Sequence, residues 1–146
     1  MTHRRIVTGL DAAGRSAILI DGAAEMVAWA TAETPVDNSG SADQGGGFSF
    51  AMPRGGSKFL MLEIPSTPPG EMFGPGMHAT DTIDYLVVVK GEIVLITESG
   101  ETVCRVGDMI VDRGVMHGWR NDGAEGALLA CVMIDAAPVG NGATLK

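Results

Sequence analysis

Glycine interrupts this chain so often that no long helix can be written into it. It fills 21 of the 146 positions, and 7 prolines add further breaks. In a helix interior a glycine costs about 1 kcal/mol relative to alanine and a proline about 3 kcal/mol. The pattern favours short strands joined by tight turns, where glycine is useful because it accepts positive φ. Hydrophobic residues make up 45% of the chain, enough for a packed core and against global disorder.

Read along the chain, residues 4–8 and 16–20 predict a hairpin around the turn-like stretch 9–14. A third strand is expected at 26–30, an exposed loop at 34–47, and a short strand or ordered loop at 48–52. Strand-like runs follow at 58–64, 77–89, 92–97, 101–106, 109–111, 115–120 and 127–134, with 77–89 the longest. In the second half turn signals recur about every 8–12 residues, the spacing of an all-β domain. Ala12, Ala13, Ala23 and Ala24 offer at most one helical turn, and the small, polar tail 136–146 is expected to fray.

The formal net charge is -8 and the pI is near 4.7, so the chain repels nucleic-acid phosphates and anionic membrane surfaces, and neither is expected as a partner. The longest apolar run, residues 127–134, falls far short of the ~20 residues that span a bilayer. The first residues do not follow a signal-peptide pattern, and Cys104 and Cys131 form no CxxC. A cytoplasmic protein with two reduced, structural cysteines is the expectation, although the sequence leaves a disulfide between them open.

Strand parity gives the first chemical signal. In 77–89 the even positions His78, Thr80, Thr82, Asp84, Leu86 and Val88 share a face that starts polar and ends apolar. Odd positions such as Ile83, Tyr85 and Val87 are mostly apolar, which puts Tyr85 against a second layer or a partner subunit. Buried polar groups need partners, and a barrel mouth filled by water or ligand would supply them. Downstream, His117 and Trp119 share a face as a candidate pocket wall; a histidine bonded to backbone beside a core tryptophan is the plainer alternative.

Residues 76–91 resemble the first cupin motif: His78, Thr80, three residues, Asp84, six residues and Gly91 keep its spacing, with threonine and aspartate standing where the motif has histidine and glutamate. Residues 107–121 resemble the second motif through Gly114, His117 and Asn121, without its usual proline and one residue short between Gly107 and Gly114. The run His-x-Thr-x-Thr-x-Asp-Tyr at 78–85, with Arg-Gly-x-x-His-x-Trp-Arg-Asn at 113–121, looks like one subgroup of small single-domain microbial cupins. The resemblance implies a double-stranded β-helix, an all-β jelly-roll barrel, and a homodimer. It also implies one cupin domain over 1–146, with the barrel motifs at about 74–134 and N-terminal strands and a loop at 1–58.

By position the resemblance makes His78, Thr80, Asp84 and His117 the counterparts of the cupin metal ligands for Fe, Mn, Ni or Zn. Thr80 is a weak donor, which leaves His78, Asp84 and His117, a two-histidine, one-carboxylate set. Asp84 is a methylene shorter than glutamate, and ligand distances tolerate only about 0.2 Å. The alternative is a barrel with no metal, in which Asp84 and His117 become general base and acid. Thr80, Thr82 and Trp119 are the expected substrate-pocket residues, Met72 and Phe73 a candidate lid, and Arg113 and Arg120 candidates to meet an anion or plain surface arginines. The expected activity is that of a small-molecule enzyme on a carbonyl, enol or aromatic substrate, as oxygenase, isomerase or lyase. A metal-free dehydratase or cyclase, and a non-catalytic binding protein, are the alternatives.

Overall fold

Alternation of burial, the period-2 signature of strands, marks 3–10, 82–88 and 109–112 in the computed structural model, which describes residues 3–140 and 142–145. Ten strands follow one another: β1 (His3–Leu10), β2 (Ser16–Ala24), β3 (Val27–Thr31), β4 (Ser57–Ile64), β5 (Thr82–Lys90), β6 (Glu92–Thr97), β7 (Gly100–Arg105), β8 (Met109–Asp112), β9 (His117–Arg120) and β10 (Ala127–Asp135). No helix occurs among the described residues, and so none is long and apolar enough to cross a membrane.

The strands form three antiparallel sheets. β1 and β2 make the expected hairpin as a separate ribbon; β3-β4-β10-β5-β8 form a five-stranded sheet and β7-β6-β9 a three-stranded one. The two larger sheets share one core, with Leu60, Leu86, Val88, Leu129 and Cys131 from the first meeting Ile93, Cys104 and Trp119 from the second. Leu129 is fully buried, and truncating such a side chain to alanine costs about 2–5 kcal/mol. Both cysteines are free and buried.

The opposite face of the five-stranded sheet is largely apolar; the β1–β2 ribbon stands beside its Trp29 and Phe59, and toward β5 and β8 no described residue of this chain covers it. Trp29, Phe59, Val132, Tyr85 and Val111 are register partners across five strands, and Phe59, Tyr85 and Val111 are exposed. Tyr85 therefore faces outward as expected, with no second layer from its own chain over it.

Two expectations fail together. The run 77–89 is not one strand: β5 begins at Thr82, and His78 and Thr80 stand in isolated bridges before it. The break leaves backbone groups of 78–81 without sheet partners, and other segments take them. His78 and His117 exchange both backbone hydrogen bonds at 2.9 Å, while the tail returns so that Leu145 N–H donates to Ala79 O and Ala136 N–H to Asp81 O. The tail is thus hydrogen-bonded to the barrel where fraying was expected. Residues 48–52 form an ordered loop rather than a strand.

Gly114 shows why the turn before β9 needs glycine. Its φ is +74°, and a Cβ there would lie 2.5 Å from Thr80 O and 2.7 Å from Thr82 O. The turn presses against the segment that carries the candidate site.

Candidate active site

β5 turns Thr82 and Asp84 inward, as its parity predicts, and β8 does the same with Ile110 and Asp112. Asp84 and Asp112 are register partners on neighbouring strands, two buried carboxyl groups opposite one another. Like charges so placed oppose folding unless other groups compensate. Thr82 supplies part of that: its hydroxyl donates to Asp84 Oδ1 at 2.7 Å, with Thr80 Oγ1 a further 2.9 Å from Thr82 Oγ1. Asp112 Oδ1 accepts from Gly114 N–H at 3.0 Å, so the turn that requires glycine also orients this carboxyl group.

The second part comes from the facing sheet. His117 Nε2 on β9 lies 2.9 Å from Asp112 Oδ2, and both side chains are almost wholly buried. With His117 charged the two make a buried ion pair. Backbone pairing of His78 with His117 sets their rings 4.5 Å apart. His78 Nδ1 lies 2.8 Å from Gly76 O and His117 Nδ1 2.8 Å from Val115 O. A carbonyl only accepts, so each Nδ1 carries a proton; His78 Nε2 is then left as an acceptor, while His117 Nε2 faces Asp112.

These surroundings drive the groups apart. Burial pushes Asp84 up to about 6, against the opposing pull of the Thr82 hydroxyl and with a further push from Asp112. Burial alone would lower His117, but the Asp112 carboxylate more than reverses it and His117 is raised. His78 moves the other way, lowered by burial despite its bond to Gly76 O. Neighbouring groups with separated titrations are the arrangement in which acid and base roles divide.

A cavity of about 250 Å³ opens onto these residues, and His78, Thr80, Asp84, His117 and Trp119 line it. Thr82 does not; it sits behind the wall and links Thr80 to Asp84, which corrects its expected place in the pocket. Phe73 lines the cavity from the Pro/Gly loop, whereas Met72 beside it is exposed and does not. Arg113 is exposed, and Arg120 is engaged by Glu101 and Asp122, so neither reaches the cavity.

Sequence reasoning missed Asp112 and the loop residues Phe48 and Phe50. Asp112 carried a signal, since the alternation of 109–112 puts it on the same face as Ile110. Phe48 and Phe50 belong to a loop without periodicity, held by Lys58, whose ammonium donates to Ser49 O and Ala51 O and lies 5.6 Å from the Phe48 ring centre.

A bound transition metal would need His78, Asp84 and His117 to converge with free lone pairs. Instead the Asp84 carboxyl accepts from Thr82, and His117 Nε2 is set against Asp112. Among the described residues no three His, Cys, Asp or Glu side chains stand together as an ion's ligands. As placed, these side chains do not fit a resident metal, and no step below passes through one.

Comparison with known proteins gives the family. The cupin domain family model matches residues 66–133, which include His78, Thr80, Asp84, Asp112, His117 and Trp119. The phomopsin biosynthesis cluster protein C' of Diaporthe leptostromiformis is 36% identical over 140 residues, covering 82% of this chain and 71% of that protein. A cupin-domain-containing oxidoreductase, srdD, of Neurospora crassa is 32% identical over 149 residues, covering 88% of this chain and 71% of its own. The chain is a cupin. A solved cupin from Methanocaldococcus jannaschii with a double-stranded β-helix fold aligns at 16% identity and a TM-score of 0.46, over 54% of this chain and 70% of its own. In this cupin the expected jelly-roll arrangement holds as two facing antiparallel sheets, with the site at the open end of their shared core.

Proposed function

We propose that this cupin is a small-molecule enzyme that moves protons on a carbonyl or enol substrate, as an isomerase, dehydratase or cyclase does. One observation carries the reading: the buried Asp84 carboxyl group and His117, itself backed by Asp112 at 2.9 Å, line one mainly apolar cavity. Asp84 is the general base and His117 the general acid. Above pH 6 the Asp84 carboxylate takes a proton from the carbon next to the carbonyl, and His117 Nε2–H, turning from Asp112, protonates the carbonyl oxygen to give the enol. Return of the proton to another carbon gives an isomer; departure of a leaving group gives elimination. Asp112 favours the charged form of His117, and His78 Nε2 is a second acceptor.

Relatives named as biosynthesis cluster proteins and oxidoreductases support small-molecule chemistry. Their names also favour a second reading, a metal-assisted oxidation, which requires Asp84 to leave Thr82 and His117 to leave Asp112. Elemental analysis of purified protein decides it: one equivalent of Fe, Mn, Ni or Zn would replace the proton-transfer reading. The test of the proposal itself is incubation of enolisable ketones and aldehydes in D2O, with NMR detection of deuterium next to the carbonyl. The wild type exchanges, and Asp84→Asn and His117→Gln do not. Exchange that survives both substitutions overturns the assignment.

The run 78–85 supports membership of the small single-domain subgroup, with residues 1–146 as one domain. The uncovered face around Phe59, Tyr85 and Val111 supports a homodimer. A cytoplasmic location, with no nucleic-acid or membrane partner, remains in keeping with the charge of -8.

A further inference from the structure

The cavity has walls of a particular kind. Three of the four phenylalanines and one of the two tryptophans in this cupin line it. Five rings follow one another around it: Phe48 to Phe50 at 5.0 Å between centroids, Phe50 to His78 at 5.9 Å, His78 to His117 at 4.5 Å, and His117 to Trp119 at 5.8 Å. The interplanar angles run from 51° to 79°, so edges meet faces. A belt of tilted rings offers both edges and faces to an inserted ring, which aromatic pairs prefer over a flat sandwich.

Charge is equally one-sided. Among the described residues no lysine or arginine lines the cavity, and its carboxyl group is Asp84. Lys58, the buried lysine, stands behind Phe48 with its ammonium spent on two backbone carbonyls. The charge of His117 is already matched by Asp112. An anion entering here would lose its hydration and meet a carboxyl group with no free cation to receive it. A single neutral oxygen would instead find His78 Nε2, whose ring is fixed by its Nδ1 contact with Gly76 O, beside the His117 ring.

We infer that the cavity takes an uncharged aromatic compound, of the phenol, aryl aldehyde or aryl ketone class, with its ring inside the belt Phe48–Phe50–His78–His117–Trp119 and one oxygen turned to the histidines. Carboxylates and phosphates of the same ring are rejected. The inference rests on the proposed function only in taking the histidine end as the reacting end.

Isothermal titration calorimetry on the full chain tests it with four probes of one shape: 4-isopropylphenol, 4-isopropylcyclohexanol, 4-isopropylbenzoate and 4-isopropylphenyl phosphate. The phenol binds about tenfold or more tightly than each of the others. Phe50→Leu, in the loop outside the strands, lowers the affinity for the phenol more than that for the cyclohexanol and so removes most of the phenol's advantage. Equal or tighter binding of the benzoate or phosphate overturns the charge argument. Equal binding of the cyclohexanol overturns the ring argument, and no binding of the phenol at millimolar concentration overturns both. The two readings fail separately. Phenol binding as stated, with deuterium exchange unaffected by Asp84→Asn and His117→Gln, defeats the acid–base function alone. Exchange confined to aliphatic or anionic carbonyl compounds defeats the aromatic substrate class alone.

Discussion

Two hollows in this cupin contain aspartates in opposite conditions. The larger, about 630 Å³, lies between the β1–β2 ribbon and the loop at 32–44, and Asp37 on its rim is exposed and held low by Ser39. The smaller, about 250 Å³, lies within the barrel, and its Asp84 is buried and pushed up to about 6. The same carboxyl group is a solvated anion in one and a proton acceptor of near-neutral strength in the other. Volume does not mark the reactive site; desolvation beside a second carboxyl group and a histidine does.

The sharpest break of that comparison is functional. His117→Gln and Asp84→Asn each lower deuterium exchange by about 10²–10⁴-fold, the usual worth of a general acid or base, while Asp37→Asn leaves it unchanged. Equal losses at all three positions would erase the distinction between the hollows.

Glycines give the next contrast. Gly114→Ala forces a side chain into positive φ and against Thr80 O and Thr82 O, and costs about 3 kcal/mol or more in chemical denaturation. Gly40 lines the larger hollow with nothing within 4 Å of an added Cβ, and Gly40→Ala changes stability by less than about 1 kcal/mol.

The third effect is smaller and depends on pH. Because folding raises the Asp84 pKa from 3.8 to about 6, its ionised form opposes folding. The cost is absent below pH 3.8, grows as pH climbs through that window and is borne in full above pH 6. Asp84→Asn, which keeps an acceptor for Thr82, therefore stabilises the protein by about 2–3 kcal/mol at pH 7.5, and the gain fades below pH 4. Asp37→Asn shows no such gain, since its carboxylate is favoured in the fold.

Much of the barrel was legible because turns and parity are local. Gly76, Gly91, Gly107 and Gly114 all take positive φ at the turns assigned to them, and the even residues of β5 face inward. His78, Asp84, His117 and Trp119 do meet at one cavity. The break at 77–81 was not legible, because the backbone there pairs with residues far along the chain, His117 and Leu145, rather than with a neighbouring strand. Asp112 lies one residue beyond the strand expected at 109–111, although the alternation in β8 points it inward. Phe48 and Phe50 reach the site through a loop anchored by Lys58, and no periodicity encodes that.

The central claim is that the barrel drives its two histidines in opposite directions by setting Asp112 against only one of them. An NMR titration of the His78 and His117 ring C2–H signals, in the wild type and in Asp112→Asn, tests this without any substrate. The account predicts that His117 titrates above the ordinary histidine value of 6.5 and His78 below it, and that Asp112→Asn brings His117 down while it stays buried. Two histidines titrating together near 6.5, unmoved by Asp112→Asn, would contradict it.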